Sequence, residues 1–172
     1  MIDFTKLDYL KEGNDKQKRA YEVLTKYRIF EILSYYSPIL AGTIPIEVDI
    51  EGSDLDIICE VKDETEFLEL LNQILPQNID FTIETNIINN NENCIILNSM
   101  LEEFPIEIFG QNKPTTKQNA YRHMIAEHKI LQEKGEDFKQ KIIELKTQGI
   151  KTEPAFGLLM SLENPYEDLL KF

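Results

Sequence analysis

The stretch Gly52-Ser53-Asp54-Leu55-Asp56-Ile57-Ile58-Cys59 places two acidic residues, one position apart, at the start of an apolar run. The run from Leu55 to Val61 is rich in isoleucine and predicts a central strand of a β-sheet. Because side chains at positions i and i+2 of a strand point to the same face, we expect Asp54 and Asp56 to present their carboxylates together. Oxygen ligands of this kind suit Mg²⁺. An isolated pair can also be two solvated acids at a strand end, so the flanking sequence decides between the two interpretations.

Upstream of this stretch, Gly42 and Thr43 follow the short apolar run Ile39-Leu40-Ala41. Glycine lets the backbone approach a phosphate closely, and the threonine hydroxyl can donate a hydrogen bond to it. The pair therefore indicates a phosphate-binding turn, the alternative being a plain turn. Ser53 either caps the turn that precedes the strand or orients a metal ligand through a hydrogen bond.

Downstream, Glu107 lies between Ile106 and Ile108 in a short predicted strand, Phe104 to Phe109, where Pro105 indicates the start of the strand or an edge position. If this strand neighbours the one that carries the two aspartates, Glu107 supplies a third carboxylate. Three carboxylates can hold two ions roughly 3.5–4 Å apart, the arrangement that stabilises both oxygens in phosphoryl-type transfer. The alternative is a solvent-facing glutamate on an edge strand.

The rest of the chain predicts helices and strands without a regular strand–helix–strand alternation. We expect helices at Asp15 to Tyr36 and Asp63 to Leu75, strands at Ile44 to Ile50, Ile79 to Ile88 and Cys94 to Met100, and further helices from Thr115 or Thr116 to Lys134, from Glu136 to Thr147, from Thr152 and from Pro165. The asparagine-rich segment after Ile88 predicts a hairpin turn. This order predicts an α+β protein with a mixed β-sheet flanked by helices and a C-terminal helical tail. We expect one domain over residues 1–172, with its core in 1–110 and a helical extension, 111–172, packed on it.

Composition narrows the range of partners. The 172 residues carry a net charge of −13, which argues against non-specific binding to a nucleic-acid backbone and leaves a small nucleotide bound through metal ions as an option. No apolar stretch is long enough for a membrane span and the N-terminus does not resemble a secretory signal, so we expect a cytoplasmic protein. Cys59 and Cys94 lie inside apolar runs and are expected to be buried, in a reducing compartment.

Taken together, these motifs resemble those of the nucleotidyltransferase superfamily that includes DNA polymerase beta. The matching segments are Leu40-Ala41-Gly42-Thr43, a spacer from Ile44 to Ser53, Asp54-Leu55-Asp56-Ile57, and Ile106-Glu107-Ile108. Two longer segments, Gly42 to Ile46 and Gly52 to Cys59, look like a branch of single-domain bacterial proteins of unknown function, and so does Gln118-Asn119-Ala120-Tyr121-Arg122-His123-Met124.

The resemblance implies transfer of a nucleotidyl group from a nucleoside triphosphate to an unknown acceptor, with Mg²⁺ or Mn²⁺ as cofactor. Its catalytic and metal-binding residues would be Asp54, Asp56 and Glu107. Its nucleotide-binding residues would be Gly42, Thr43, Ser53, Arg122 and His123, the last two at the mouth of the site. For His123 the alternative is a packed or hydrogen-bonded side chain that shares a helix face with Glu127.

A non-catalytic interpretation also stays open, because no basic cluster follows the aspartate motif along the chain to hold a triphosphate. In that case the protein would bind a nucleotide or a partner protein without turnover, as a regulator or an antitoxin does. The tail also contains apolar residues that can cover the sheet or form the surface of a homodimer: Phe156, Leu158, Leu159, Leu169, Leu170 and Phe172.

Overall fold

A computed structural model describes residues 2–89 and 92–172, except for the side chain of Asn89. Five strands form one mixed sheet: β1 (Ile39–Ala41), β2 (Leu55–Glu60), β3 (Phe81–Asn89), β4 (Glu92–Leu101) and β5 (Phe104–Gln111). Their order across the sheet is β1-β2-β5-β4-β3. Strands β2 and β5 are parallel, and the other three neighbouring pairs are antiparallel. The predicted α+β class with a mixed sheet is therefore confirmed, while the turn predicted around Asn90 and Asn91 lies outside the described residues.

Seven α-helices accompany the sheet in the described part of the chain. They are α1 (Asp15–Lys26), α2 (Ile29–Ile32), α3 (Glu64–Ile74), α4 (Asn119–Lys134), α5 (Glu136–Thr147), α6 (Thr152–Met160) and α7 (Pro165–Asp168). Short 3₁₀ turns lie at Asp8–Glu12, Ser34–Tyr36, Thr115–Lys117 and Leu169–Lys171. Asp63 caps α3, because its carboxylate accepts hydrogen bonds from the backbone amides of Thr65 and Glu66.

The prediction of one continuous helix from Asp15 to Tyr36 is wrong. The helix ends at Lys26, and Arg28 adopts a left-handed conformation with φ of 55° before α2 begins. The apolar spacing continues across this break, since Ile29 and Leu33 are fully buried. The spacing of apolar residues therefore predicted which residues are buried, but it did not predict the break in the helix at Arg28.

The prediction of a strand from Ile44 to Ile50 is also wrong, because this segment is a compact turn. Pro45 has no N–H to give to a ladder, and Glu47 has a φ of 59°. The alternating residues Ile44, Ile46 and Val48 are buried all the same. Ile44 packs in one core and the other two in a second core, so an alternating pattern arose without a strand.

The two cores lie on opposite faces of the sheet. The first contains Ile57, Ile108 and Leu97 together with α1 and α3. The second joins Ile58 and the β1 side of the sheet to α4, α5 and α6. In the C-terminal tail Phe156 and Leu169 are fully buried in this second core, whereas Leu158 and Phe172 are more than half exposed. These buried residues of the tail therefore pack on the sheet, whereas the domain division and the homodimer stay predictions.

Two further expectations can be compared with the fold. Both Cys59 and Cys94 are buried, as predicted. Within the described residues, none of the helices has the length and apolar character that crossing a membrane requires.

Candidate active site

Three carboxylates meet on one face of the sheet at the start of β2. Asp56 and Glu107 are direct neighbours in the register of the parallel strands β2 and β5, so their side chains share a face. Asp54 lies two residues before Asp56, just ahead of the strand, and interacts electrostatically with both. Strand β5 lies inside the sheet, between β2 and β4, so Glu107 is not on an edge strand and Pro105 marks only the start of β5.

Burial and repulsion by neighbouring carboxylates disfavour the charged forms of Asp56 and Glu107. Burial raises the pKa of Asp56, and the carboxylates of Asp54 and Glu107 raise it further. The pKa of Glu107 is also raised, first by burial and then by Asp54 and Glu84. The site thus concentrates more negative charge than its surroundings balance, and a divalent cation is the kind of ligand that would compensate it.

The carboxylates do not form a closed metal cage. Across residues 2–89 and 92–172, no group of three or more His, Cys, Asp and Glu side chains is arranged so that it could hold a metal ion by itself. Mg²⁺ in phosphoryl-transfer sites is ordinarily held by one or two carboxylates, with the remaining ligands supplied by water and by substrate phosphates. The chemistry and the charge of this cluster fit an ion held in that way.

Gly42 lies directly beside the cluster, because Ala41 pairs with Asp56 across β1 and β2. Gly42 has a φ of +79°, and a Cβ atom there would overlap the Oδ2 atom of Asp56. Both the backbone conformation and the space require glycine. The chain thus lets the carboxylate of Asp56 rest against the backbone at the end of β1.

The loop between β1 and β2, residues 42–54, carries the other predicted phosphate contacts. The carbonyl of Thr43 accepts a hydrogen bond from the Val48 amide at 3.1 Å. Ser53 Oγ accepts one from the Ile50 amide at 2.9 Å, which is the turn-capping role considered for it. Gln17 on α1 holds the loop from one side. Its side-chain amide donates hydrogen bonds to the carbonyls of Ile44, at 2.9 Å, and Pro45, at 3.1 Å.

A cavity of about 670 Å³ opens between the carboxylates and the helical tail. Its sheet side includes Asp54, Asp56 and Glu107, and its loop side includes Gly42, Thr43 and Ser53. The helix side presents one face of α4 together with residues of α5, of α6 and of the connection between them: Ala120, His123, Met124, Glu127, Lys146, Lys151 and Glu153. Seven of the eight predicted site residues, His123 among them, therefore line a single cavity.

Arg122 is the predicted site residue that the structure does not bring to this cavity. Its side chain is exposed, and its Nη2 atom lies 3.5 Å from the carbonyl oxygen of Leu170. His123, one position on, faces inward, with Nε2 2.8 Å from the Tyr166 carbonyl and Nδ1 3.5 Å from Glu153. His123 is thus both hydrogen-bonded, as the alternative interpretation has it, and at the cavity wall.

Lys146 is a cavity residue that the sequence did not single out. Its amine donates a 2.7 Å hydrogen bond to the Val48 carbonyl and faces the carboxylates of Glu127 and Asp54. Burial lowers the pKa of Lys146, and the surrounding carboxylates oppose that shift. Its signal in the sequence is slight: it lies four residues after the buried Ile142, and so on the apolar side of α5.

Two buried acceptor atoms on the cavity wall lack hydrogen-bond partners within the described part of the chain: Gln118 Oε1 and Glu127 Oε1. The amide nitrogen of Gln118 donates to the carbonyls of Cys59 and Lys113, both at 2.9 Å, which fixes the orientation of the amide. Burial raises the pKa of Glu127 to about 8, with a further contribution from Glu153. Glu127 is therefore favoured in its neutral form at neutral pH.

A protein-family model described as a domain of unknown function, DUF4269, matches residues 22–172. The chain belongs to the DUF4269 family. No curated protein matches it.

Solved structures resemble this DUF4269 protein in fold. The Cid1 poly(U) polymerase with Mg and 3′-dATP bound has a TM-score of 0.57 and 14% identity, with 81% of this chain and 45% of that chain covered. A cytoplasmic RNA terminal U-transferase has a TM-score of 0.51 and 17% identity, covering 83% and 43%. The polymerase core of TRAMP, an RNA surveillance complex, has a TM-score of 0.53 and 10% identity, covering 91% and 49%.

The DUF4269 chain spans about half the length of these neighbours. At such low identity the likeness establishes the fold, which is that of the polymerase-beta-like nucleotidyltransferases. What the fold is used for must be argued from the site.

Proposed function

We propose that this DUF4269 protein transfers a nucleotidyl group from a nucleoside triphosphate to a hydroxyl acceptor, with Mg²⁺ or Mn²⁺ as cofactor. The observation that carries the proposal is the register of Asp56 with Glu107, with Asp54 two residues before Asp56 and Gly42 against it. This places three carboxylates and a close-approach glycine in one cavity of a nucleotidyltransferase fold.

In this reaction the acceptor oxygen forms a bond to the α-phosphorus, the bond from that phosphorus to the bridging oxygen breaks, and pyrophosphate leaves. Asp54 and Asp56 would hold the metal, which when bound supplies charge neutralisation at the phosphates. Glu107 lies beside Asp56 and would take the proton of the acceptor hydroxyl. Its raised pKa suits a general base better than that of an ordinary glutamate does.

The triphosphate would lie along the loop and against the helical tail. Gly42 and Thr43 would contact the β- and γ-phosphates through backbone and hydroxyl donors. Lys146 and Lys151 line the same cavity and would supply positive charge for the phosphates. The segment that follows the aspartate motif along the chain has no basic cluster for this purpose. Lys146 uses one N–H for the Val48 carbonyl, so it can still donate to a phosphate. His123 would contact the nucleotide from α4, whereas Arg122 has no part in this proposal.

The experiment uses labelled ATP, CTP, GTP and UTP with Mg²⁺ or Mn²⁺, alone and with small-molecule, RNA and protein acceptors. We expect metal-dependent nucleotide binding and transfer by the wild type, and a loss of about 100-fold or more in transfer by Asp54→Asn/Asp56→Asn, the range seen when an electrostatic contribution to catalysis is removed. A control removes two exposed acids of α5 instead, Asp137→Asn/Glu144→Gln, and should leave transfer unchanged. If no nucleotide binds and the aspartate variant behaves like the wild type, the proposal fails.

A second candidate is a DUF4269 protein that binds nucleotide or a partner protein without turnover. The observation that favours it is that no basic cluster follows the aspartate motif along the chain to hold a triphosphate. Metal-dependent nucleotide binding with no transfer to any acceptor would identify it. The cytoplasmic location and the narrower resemblance to single-domain bacterial proteins stay predictions.

A further inference from the structure

The face of the sheet that carries the carboxylates continues beyond the cavity and is open there. Across the strands, Glu107 pairs with Asn98 on β4, and Asn98 pairs with Thr82 on β3, so the three side chains share the face of Asp56. Thr82 is exposed and Asn98 is partly exposed. The helical tail packs on the β1–β2 side, so the β3–β4 side of this face can admit a second substrate next to Glu107.

This open face also carries Glu84. Glu84 pairs with Ile96, which pairs with Phe109, and Phe109 is two residues along β5 from Glu107. Glu84 is exposed, and its carboxylate raises the pKa of Glu107, so the two acids face the same space. By strand spacing, two strands across and two residues along, their Cα atoms are roughly 12 Å apart. A molecule of two or more linked rings spans this distance.

The open face lacks positive charge because of its sequence. Between Lys62 and Lys113 the chain has no Lys, Arg or His, while it has ten Asp or Glu residues. All of β3, β4 and β5 falls within that segment. The cations of the site, Lys146 and Lys151, come instead from the helical tail on the other side of the carboxylates. The lysines of the site therefore lie on one side of the carboxylates, and the acids Glu84 and Glu107 mark the open face on the other.

We propose that the open face, defined by Glu84, Asn98, Thr82 and Glu107, binds the acceptor, and that the acceptor is a small alcohol carrying a protonated amine. This inference rests on the proposed function, because it names the class of molecule that accepts the nucleotidyl group in that reaction. Glu84 pairs with the ammonium group, Thr82 and Asn98 hydrogen-bond the polar groups between, and the reacting hydroxyl lies at Glu107. Charge complementarity selects this class of molecule.

A nucleic-acid acceptor fits the open face poorly. Each nucleotide brings a negative phosphate, and binding depends on Lys and Arg side chains that neutralise those phosphates. An RNA strand on β3–β5 would meet Glu84 and Glu107 instead. Glu84 and Glu107 would therefore select against an RNA acceptor, the kind for which the RNA terminal U-transferases among the structural neighbours are named.

The test measures binding to the full chain by calorimetry, with three probes of similar length. These are a glucosamine tetramer, which carries amines, the N-acetylglucosamine tetramer, which carries none, and a uridine tetranucleotide. We expect the amine-bearing tetramer to bind and the other two to bind at least tenfold more weakly. We expect Glu84→Gln to weaken the amine-bearing tetramer about tenfold, and Glu69→Gln, an exposed acid on α3 at the other side of the sheet, to leave it unchanged.

Three results would overturn the inference: equal binding of the acetylated tetramer, tighter binding of the tetranucleotide, or equal weakening by Glu84→Gln and Glu69→Gln. Transfer of labelled nucleotide to each probe is measured in parallel. Transfer to the tetranucleotide and not to the amine-bearing tetramer would overturn this inference and leave the proposed function intact. Amine-selective binding at Glu84, with no metal-dependent nucleotide binding, would leave the ligand site standing and remove the proposed function.

Discussion

At the scale of single residues, the contact between Gly42 and Asp56 determines whether the site can form. We expect Gly42→Ala to displace the Asp56 carboxylate, because the new methyl group would overlap its Oδ2 atom. The positive φ adds about 1–2 kcal/mol of backbone strain. The measurements are the free energy of unfolding by urea and the affinity for Mg²⁺ with nucleotide.

Gly52→Ala is the matched control for that change. Gly52 has a similar φ of +77°, but a Cβ atom there has open space around it. It should therefore lose stability from backbone strain alone and keep more of its metal and nucleotide affinity. Equal losses of affinity in the two variants would show that the contact with Asp56 does not matter.

Glu127 gives a prediction for the dependence of stability on pH. Burial raises its pKa to about 8 in the folded protein, from an ordinary value near 4.5; Glu153 on α6 adds to the shift and Lys146 on α5 opposes it. Between these values the folded state binds a proton that the unfolded state has lost, so this contribution to stability falls as the pH rises from about 4.5 to 8. Glu127→Gln cannot titrate and should lose less stability over that window.

The measurement is urea unfolding at pH 5 and pH 8.5 in the wild type and in Glu127→Gln. We expect the two to differ in pH dependence by a few kcal/mol, on the order of what a shift of several units implies. Glu133→Gln, an exposed glutamate on the same helix, should follow the wild type. Parallel curves for wild type and Glu127→Gln would contradict the prediction.

The residues of the site differ in how far the sequence could reveal them. Asp54, Asp56 and Gly42 lie within one strand–loop–strand segment, where spacing alone constrains their positions. The prediction that Glu107 joins them required one further assumption, that β5 neighbours β2. The register of the two strands confirms that assumption. Lys146 is 98 residues from its hydrogen-bond partner Val48, and a local sequence pattern cannot predict a contact between segments so far apart in the chain.

At the scale of elements, the loop of residues 42–54 is held by side chains and not by a strand ladder. Lys146 on α5 donates to the Val48 carbonyl, and Gln17 on α1 donates to the carbonyls of Ile44 and Pro45. An alternating apolar pattern is typical of a strand, so the sequence could not distinguish this turn from one. The signals against a strand were Pro45 and the positive φ of Glu47, and only the first of them is visible in a sequence.

We expect Lys146→Met to loosen this loop. The buried Val48 carbonyl would lose its donor, which costs about 1–3 kcal/mol, and Glu127 would lose the nearby cation. Hydrogen exchange should speed up at the amides of Val48 and Ser53, which are bonded within the loop. Lys141 is an exposed lysine on the same helix, and Lys141→Met should change neither the free energy of unfolding nor the hydrogen exchange of these amides. Unaltered exchange in Lys146→Met would show that the loop is rigid without this bond.

At the scale of the whole molecule, the sequence predicted the α+β class, the mixed sheet and the helical tail, but not how the sheet is shared between its two cores. The assignment of 111–172 as an extension follows the order of elements along the chain. In space, the buried residues Phe156, Ile142 and Met124 of that extension pack with Ile39 and Ile58 of the sheet. Which face of the sheet a helix covers depends on contacts between distant segments, and local periodicity does not report them.

We therefore expect a chain ending at Gln111 not to reach the native state. It would expose the apolar side of β1 and β2, including Ile39, Ala41 and Ile58, which are at most 3% exposed in the full chain. The measurement is the near-ultraviolet circular dichroism and the cooperativity of urea unfolding of residues 1–111. A cooperative transition with native-like tertiary signals would show instead that the core folds without its extension.

We expect the hydrogen bond from Lys146 to the Val48 carbonyl to form late in folding. The pairing closes a loop of nearly a hundred residues, and the entropy of closing it is lost before the contact forms. Helices α1 and α3 and the β3–β4 hairpin rest on contacts between near neighbours in the chain and can form earlier. During synthesis the loop beside the aspartates stays unfinished until α5 has been made. We therefore expect the acidic cluster to acquire its final geometry among the last steps of folding, when the chain around it is already compact.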